Sequence, residues 1–275
     1  MNLEKRSGTL KLKGVIFDWA GTLVDHGSRA PVAALLSIFS AAGVPIELPE
    51  ARQFMGVAKK KHIENILELP RVRQAWSEFH DSPPSQIDAD SLYAAFIPQQ
   101  LSCLESHAEL IDGVPHVVAR LRARGFKIGT TTGYTRPMLD YLLAQAARQG
   151  FEPDFSVCPD EVPAGRPAPY MCYRNAIHLE TYPLWTMVKI GDTPVDMEEG
   201  LNAGMWTIGI TGTGNEVGLT EAEWEATPGD QQHLLVMGAE KTLLAAGAHY
   251  VAHSVAECEA ILDSIEARIH EGDRP

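Results

Sequence analysis

Cysteine and basic residues are scarce in this chain of 275 residues, and apolar runs long enough to cross a bilayer are missing. The four cysteines show no C-x-x-C spacing, so the sequence predicts neither a zinc site nor a disulfide framework. Lys and Arg number 23 against 36 Asp and Glu, and the formal net charge of -13 would repel nucleic acid and anionic membranes. The N-terminal stretch carries charges but no apolar segment of the export type. A cytoplasmic protein is therefore expected, and a phosphate-bearing ligand would need local positive charge or a metal.

The apolar content of 45% is enough for a sizeable core. The first strong element is Lys13-Gly-Val-Ile-Phe-Asp18, which is typical of a buried strand that ends in a carboxylate. From Pro115 onward, helical and strand-like stretches alternate. This rhythm of βα units predicts an α/β fold with a Rossmann-like parallel sheet.

The alternation is interrupted between Asp25 and about Ser102, where helical patterns such as PVAALLSIFSAAG and HIENILEL follow one another. We interpret residues 26–102 as an inserted α-helical cap domain, and residues 1–25 and 103–275 as the core domain. The apolar PVAALLSIFSAAG helix suggests a homodimer formed through the cap.

Four polar motifs each follow a predicted strand, and the carboxyl ends of parallel strands meet at one sheet edge. They are Asp18-Trp-Ala-Gly-Thr-Leu-Val-Asp25, Gly129-Thr-Thr-Thr132-Gly133-Tyr134, Ala164-Gly-Arg166-Pro167 and Gly191-Asp192-Thr-Pro-Val-Asp196. A hydroxyl at a strand-to-helix turn and a forked cation suit phosphate oxygens, and clustered carboxylates suit Mg²⁺. Taken singly, Asp192 and Asp196 could instead cap a helix, and Asp18 could be a turn residue.

Taken in order, these motifs resemble the haloacid dehalogenase superfamily, with its pattern D-x-x-G-T, Thr or Ser, Lys or Arg, then G-D-x-x-x-D. Longer strings resemble the phosphonatase family within it, which cleaves the carbon–phosphorus bond of phosphonoacetaldehyde. These strings are Asp18-Trp-Ala-Gly21, Met55-Gly56 with Lys59 and His62, Thr131-Thr-Gly-Tyr-Thr-Arg136, Val162-Pro-Ala-Gly-Arg-Pro167 and Asn202-Ala-Gly-Met-Trp206. Leu23 and Ser28 depart from the phosphonatase pattern, which favours threonine and cysteine there.

The resemblance implies a role for each matching residue. Asp18 would be the nucleophile and Lys59 the amine that forms an imine with the aldehyde. The implied Mg²⁺ ligands are Asp18, Asp192 and the carbonyl of Ala20, with Asp196 holding metal-bound water or orienting Arg166. Thr132 and Arg166 would offset phosphoryl charge, and His62 would relay protons. The implied substrate-binding residues are Met55, Gly133 and Tyr134.

The residues themselves support the choice of Lys59. On a helix of 3.6 residues per turn, Lys59 shares a face with His62, Ile63 and Ile66, whereas Lys60 can pair with Glu64. Burial would lower the pKa of the Lys59 amine. The alternative is that Lys59 to Lys61 form a solvated helix face.

Ala20 bears on the reaction. Phosphatases and mutases of the superfamily usually carry an aspartate two residues after the nucleophile, which protonates the leaving oxygen. Alanine cannot donate a proton, and an imine would activate the leaving carbon instead. Two alternatives stay open: a magnesium-dependent phosphomonoesterase or sugar-phosphate mutase without imine chemistry, and a non-catalytic phosphoacceptor or binding module.

Overall fold

A six-stranded parallel sheet forms the centre of the protein in a computed structural model that describes residues 11–275. The strands are β1 (Gly14–Phe17), β2 (Lys127–Thr131), β3 (Phe155–Val157), β4 (Met187–Gly191), β5 (Trp206–Ile210) and β6 (Tyr250–Ala252). Their spatial order is β3-β2-β1-β4-β5-β6, so the first strand lies centrally. β1, β4 and β5 are buried along their whole length, which explains why they are almost continuously apolar.

Five consecutive helices follow β1 in the chain, and we call them the cap. They are α1 (Arg29–Ala41), α2 (Leu48–Arg52), α3 (Lys59–Leu67), α4 (Pro70–His80) and α5 (Gln86–Leu104). The apolar face of α1 is buried, and α1 packs extensively on α5 of the same chain. The apolarity that suggested a dimer contact is therefore satisfied within the chain, and both the homodimer and the domain bounds stay predictions.

Seven further helices cover the sheet, in agreement with the predicted α/β fold. They are α6 (Val114–Ala123), α7 (Arg136–Arg148), α8 (Tyr170–His178), α9 (Pro194–Asn202), α10 (Glu221–Ala226), α11 (Gly229–Ala245) and α12 (Cys258–Glu271). Short 3-10 helices occupy Pro159–Glu161, Leu184–Thr186 and Val255–Glu257. Within the described residues, no helix combines the length and apolarity that crossing a membrane requires.

Candidate active site

The four motifs meet at the carboxyl edge of the sheet. Asp18 directly follows β1, Thr132 follows β2 and Asp192 follows β4, and these strands are neighbours. Arg166 lies between β3 and α8. The predicted convergence is thus present. One cavity is lined by residues of all four motifs and of the cap: Asp18, Ala20, Ser28, Pro31, Met55, Gly56, Lys59, Thr132, Gly133, Tyr134, Arg166, Asp192 and Thr193.

The cap is closed over this cavity. The free volume of the cavity is about 20 Å³, which is room for roughly one water molecule. The backbone of the cap lies so close to the core that a Cβ placed on Gly133 would be only 2.5 Å from the carbonyl oxygen of Val57. A substrate larger than water can therefore enter only when the cap moves.

Asp18 is buried and faces Arg166, whose Nη2 donates to Asp18 Oδ1 at 2.7 Å. Burial raises the pKa of the Asp18 carboxyl, and the positive charge of Arg166 opposes that rise. The loop after Asp18 requires glycine at position 21, where φ is +76° and a Cβ would lie 2.1 Å from Asp192 Oδ2. The D-x-x-G spacing thus lets the loop fold against the second carboxylate.

Arg166 is held by three further oxygens. Its Nε donates to Glu199 Oε2 at 3.0 Å, Nη2 donates to Thr131 Oγ1 at 2.8 Å, and Nη1 lies 3.0 Å from Asp196 Oδ1. Burial disfavours the guanidinium charge, but the surrounding carboxylates raise the pKa of Arg166 well above its ordinary value. The predicted contact between Asp196 and Arg166 is therefore present.

Sequence reasoning missed three members of this cluster, Thr131, Lys189 and Glu199. Lys189 is fully buried, and its Nζ donates to Asp196 Oδ1 at 2.6 Å and lies 3.6 Å from Glu199 Oε2. Two signals in the sequence could have identified Lys189 and Glu199: a lone lysine inside the apolar strand MVKIG, and a glutamate one helical turn beyond Asp196. A buried charge almost always has a partner.

Lys59 is the first residue of α3, and its side chain is only 5% exposed. Its Nζ lies 5.2 Å from the ring centroid of Tyr134. Burial, partly opposed by Asp18, lowers the pKa of Lys59 to about 8. The two lysines that follow are exposed and form ion pairs elsewhere: Lys60 with Asp90 at 2.7 Å and Lys61 with Glu64 at 3.5 Å. The expected pairing of Lys60 with Glu64 is therefore replaced by these two.

His62 lies one turn along α3 and is fully buried, but it does not line the cavity. Its Nε2 is 2.9 Å from the carbonyl oxygen of Ala51, which can only accept, so Nε2 carries the proton. Burial, reinforced by the charge of Lys59, lowers the pKa of His62 to about 3. The ring is neutral at physiological pH, and its role as a proton relay stays a prediction.

The predicted substrate-binding residues belong to both the cap and the core. Met55 of the cap, together with Thr132, Gly133 and Tyr134 of the core, lines the cavity. Thr132 Oγ1 accepts a hydrogen bond from the backbone N–H of Tyr134 at 3.1 Å, which shapes the turn after β2. The side chains are thus placed to meet a ligand, whose binding stays a prediction.

The carboxylates fit a divalent cation. Asp18, Asp192 and Asp196 each offer an oxygen, and these atoms lie within 4.8 Å of one another. Asp192 Oδ2 accepts from Ser28 Oγ at 2.9 Å and from the N–H of Asn215 at 2.8 Å, whereas the buried Oδ1 has no partner in the described residues. A buried carboxylate oxygen without a donor is suited to a metal. Both oxygens of Asp196 are already engaged by Lys189, Arg166 and Thr193. This favours the predicted role in which Asp196 orients Arg166 or holds metal-bound water and is not itself a metal ligand.

Comparisons with known proteins agree with this architecture. Residues 12–204 match the family described as haloacid dehalogenase-like hydrolase. The chain is 44% identical over 264 residues to phosphonoacetaldehyde hydrolase of Syntrophobacter fumaroxidans, covering 96% of this chain and 95% of the relative. It is 44% identical over 257 residues to phosphonoacetaldehyde hydrolase of Bacillus cereus (strain G9842), covering 94% and 97%.

A solved structure gives the same result. The crystal structure of a phosphonoacetaldehyde hydrolase-like protein from Oleispira antarctica superposes with a TM-score of 0.95 at 38% identity, covering 98% of this chain and 96% of that one. Sequence likeness over nearly the whole length and a shared fold that includes the cap lead to one assignment. The chain belongs to the phosphonoacetaldehyde hydrolase family of the haloacid dehalogenase-like hydrolases.

Proposed function

We propose that this protein hydrolyses the carbon–phosphorus bond of phosphonoacetaldehyde to acetaldehyde and phosphate, through a Lys59 imine and an Asp18 aspartyl-phosphate. The observation that carries the proposal is one cavity lined by both a buried cap lysine, Lys59, and a buried core carboxylate, Asp18, with alanine at position 20. Each of the two groups has one task. Lys59 activates the carbon, and Asp18 accepts the phosphoryl group.

Imine formation needs an uncharged amine. With a pKa of about 8, roughly a tenth of Lys59 is neutral at pH 7, far more than for a solvated lysine. Its Nζ adds to the aldehyde carbon, and water is lost to give a protonated imine. The imine then accepts the electron pair of the breaking carbon–phosphorus bond, so the carbon leaves as an enamine.

Asp18 supplies the nucleophile in the same step. Its carboxylate oxygen bonds to phosphorus as the carbon–phosphorus bond breaks. Protonation of the enamine carbon and hydrolysis of the imine release acetaldehyde and free Lys59, and water attacks phosphorus to release phosphate. Arg166, anchored by three carboxylates and Thr131, and the turn at Thr132 bring fixed donors to the phosphoryl oxygens.

Mg²⁺ held by Asp18, Asp192 and the Ala20 carbonyl would supply positive charge that offsets the phosphoryl oxygens. Asp18 and Asp192 repel each other at close range, and burial, together with that repulsion, raises the pKa of Asp192 well above its ordinary value. A cation held by both carboxylates would offset the free-energy cost of burying these two negative charges.

The setting and assembly of the protein are part of the proposal. We infer that the small-molecule substrate binds in the cavity that residues of the cap and of the core line together. We keep the homodimer and the cytoplasmic location as inferences; four unpaired cysteines, three of them buried, are consistent with a reducing compartment.

The test combines a product assay with chemical trapping. We expect wild type to release acetaldehyde and phosphate, and both Lys59→Arg and Asp18→Ala to release neither. Borohydride with substrate should label Lys59 in wild type and in Asp18→Ala but not in Lys59→Arg. Lys60→Arg is the matched control and should retain both products and labelling. Release of phosphate from phosphonoacetaldehyde by Lys59→Arg at the wild-type rate would overturn the imine step, and a wild type that releases phosphate from a phosphate ester but not from phosphonoacetaldehyde would be a phosphomonoesterase.

A further inference from the structure

Two arginines of the cap outside the catalytic cluster reach the core, and Arg52 makes more of these contacts than Arg29 of α1, which donates to the carbonyl oxygen of Gly218 and to Glu223 Oε2, each at 3.2 Å. Arg52, the last residue of α2, donates from Nη1 to the carbonyl oxygen of Gly27 at 3.0 Å and to Asn215 O and Oδ1 at 3.1 and 2.9 Å. Its Nη2 donates to the carbonyl oxygen of Gly218 at 2.9 Å. The planar guanidinium thus connects α2 to two separate segments outside the cap helices, the linker at residues 27–28 and the loop at residues 215–218, which a single ammonium group cannot reproduce.

These two segments are the ones that orient Asp192. Ser28, the neighbour of Gly27, donates its hydroxyl to Asp192 Oδ2 at 2.9 Å, and Asn215 donates its backbone N–H to the same oxygen at 2.8 Å. Both donors therefore lie within one residue of a group that Arg52 holds. When the cap is closed, Arg52 fixes the positions from which both hydrogen bonds to Asp192 are made.

The second oxygen of the Asp192 carboxylate makes no hydrogen bond within the described residues. Asp192 Oδ1 is buried and has no partner among residues 11–275. Two donors on Oδ2 restrict the rotation of the carboxylate and so fix the position of Oδ1 on a residue that lines the cavity. Groups behind a metal ligand commonly change metal affinity by 10- to 100-fold when they are removed.

We propose that Arg52 is a positioning residue that couples closure of the cap to the orientation of Asp192, so that closing the cap completes the cation site. The inference rests on the proposed use of Mg²⁺ at this site. The coupling is reciprocal, because a contact that makes closure favour cation binding also makes cation binding favour closure. The core segments keep their own link when Arg52 is removed, since the N–H of Gly27 donates to the carbonyl oxygen of Thr213 at 2.8 Å.

The direction in which the Mg²⁺ affinity changes in Arg52 variants distinguishes this coupling from a simple effect of charge. Replacing Arg52 with methionine removes a positive charge near Asp192, which by charge alone would strengthen Mg²⁺ binding. We expect the opposite: Arg52→Met should bind Mg²⁺ about tenfold more weakly, and Arg52→Lys, which keeps the charge without the fork, should also bind more weakly than wild type. Arg73→Met is the matched control, since the guanidinium of Arg73 pairs among residues 11–275 only with Glu68, on the exposed surface of the cap.

Calorimetric titration with MgCl₂ measures the affinities without substrate, and circular dichroism verifies that each variant is folded. Hydrogen exchange tests the reciprocal effect: Mg²⁺ should slow exchange in α2 and in residues 212–218 of wild type, but only in residues 212–218 of Arg52→Met. Undiminished Mg²⁺ affinity in both Arg52 variants, or exchange in α2 of wild type that Mg²⁺ does not alter, would overturn the coupling while leaving the proposed reaction standing. Failure of wild type to bind Mg²⁺ would overturn both.

Discussion

Two buried lysines of this protein have opposite environments. Lys189 is surrounded by Asp196 and Glu199, which compensate its charge. Lys59 forms no ion pair within the described residues, and its amine lies beside the ring of Tyr134. Because burial without an ion-paired carboxylate penalises the ammonium form, Lys59 is the lysine adapted to act as a free amine.

The pH dependence of imine formation follows from this difference. The pKa of Lys59 is lowered to about 8, mainly by burial, so protonation at lower pH removes the nucleophile. We therefore expect the rate of borohydride labelling to rise about tenfold per pH unit below 8 and to level off above it. The measurement is single-turnover labelling between pH 6 and 9.5.

A matched control comes from the same helix. Lys61→Arg removes an exposed amine and should leave the profile unchanged. Labelling that continues to increase tenfold per pH unit up to pH 9.5 would show that Lys59 has the pKa of a solvated lysine, contrary to the environment described above.

At the scale of elements, the segment just before α3 and the turn after β2 meet at a seam that only glycine allows. A Cβ on Gly133 would lie 2.5 Å from the carbonyl oxygen of Val57 and 2.9 Å from that of Gly56. The clash is with the cap backbone, so it can be relieved only if the cap and the core separate.

Gly133→Ala should therefore impair closure without disturbing folding. We expect kcat/KM for phosphate release to fall on the order of 100-fold, because Lys59 and Asp18 are held apart. The melting temperature should change little. Steady-state kinetics and thermal unfolding measure the two effects.

Gly238→Ala is the control for this substitution, since a Cβ there meets nothing within 4 Å. It should leave kcat/KM at the wild-type value. Full activity in Gly133→Ala would mean that the seam tolerates a methyl group and that closure does not depend on it.

At the scale of the whole molecule, the excess of negative charge continues into the site. The buried cluster contains four carboxylates and two cations that pair with three of them, all but Asp192: Asp18, Asp192, Asp196, Glu199, Arg166 and Lys189. Desolvation and mutual repulsion raise the pKa of Asp192, so the folded state bears an electrostatic cost that a bound cation relieves.

Mg²⁺ should therefore stabilise the protein against heat. A ligand that binds only the folded state at 100 times its Kd adds about 2.7 kcal/mol, which corresponds to roughly 5 °C for a chain of this size. Thermal unfolding with MgCl₂, compared with NaCl at equal ionic strength, measures the shift. Asp192→Asn should lose it, and an equal shift in that variant would place the cation elsewhere.

The sequence by itself determined the parallel α/β core, the helical insert and the residues at the strand ends, because hydrophobic periodicity and strand-end motifs are local properties of the chain. It also indicated Lys59 over its two neighbours, since helical spacing places Lys59 on the apolar face. Tertiary structure alone decided the rest: Lys189 and Glu199 join the Arg166 cluster, His62 is neutral, and Arg52 connects Gly27 to Gly218. These depend on distances between residues far apart in sequence and on burial, which no local pattern encodes.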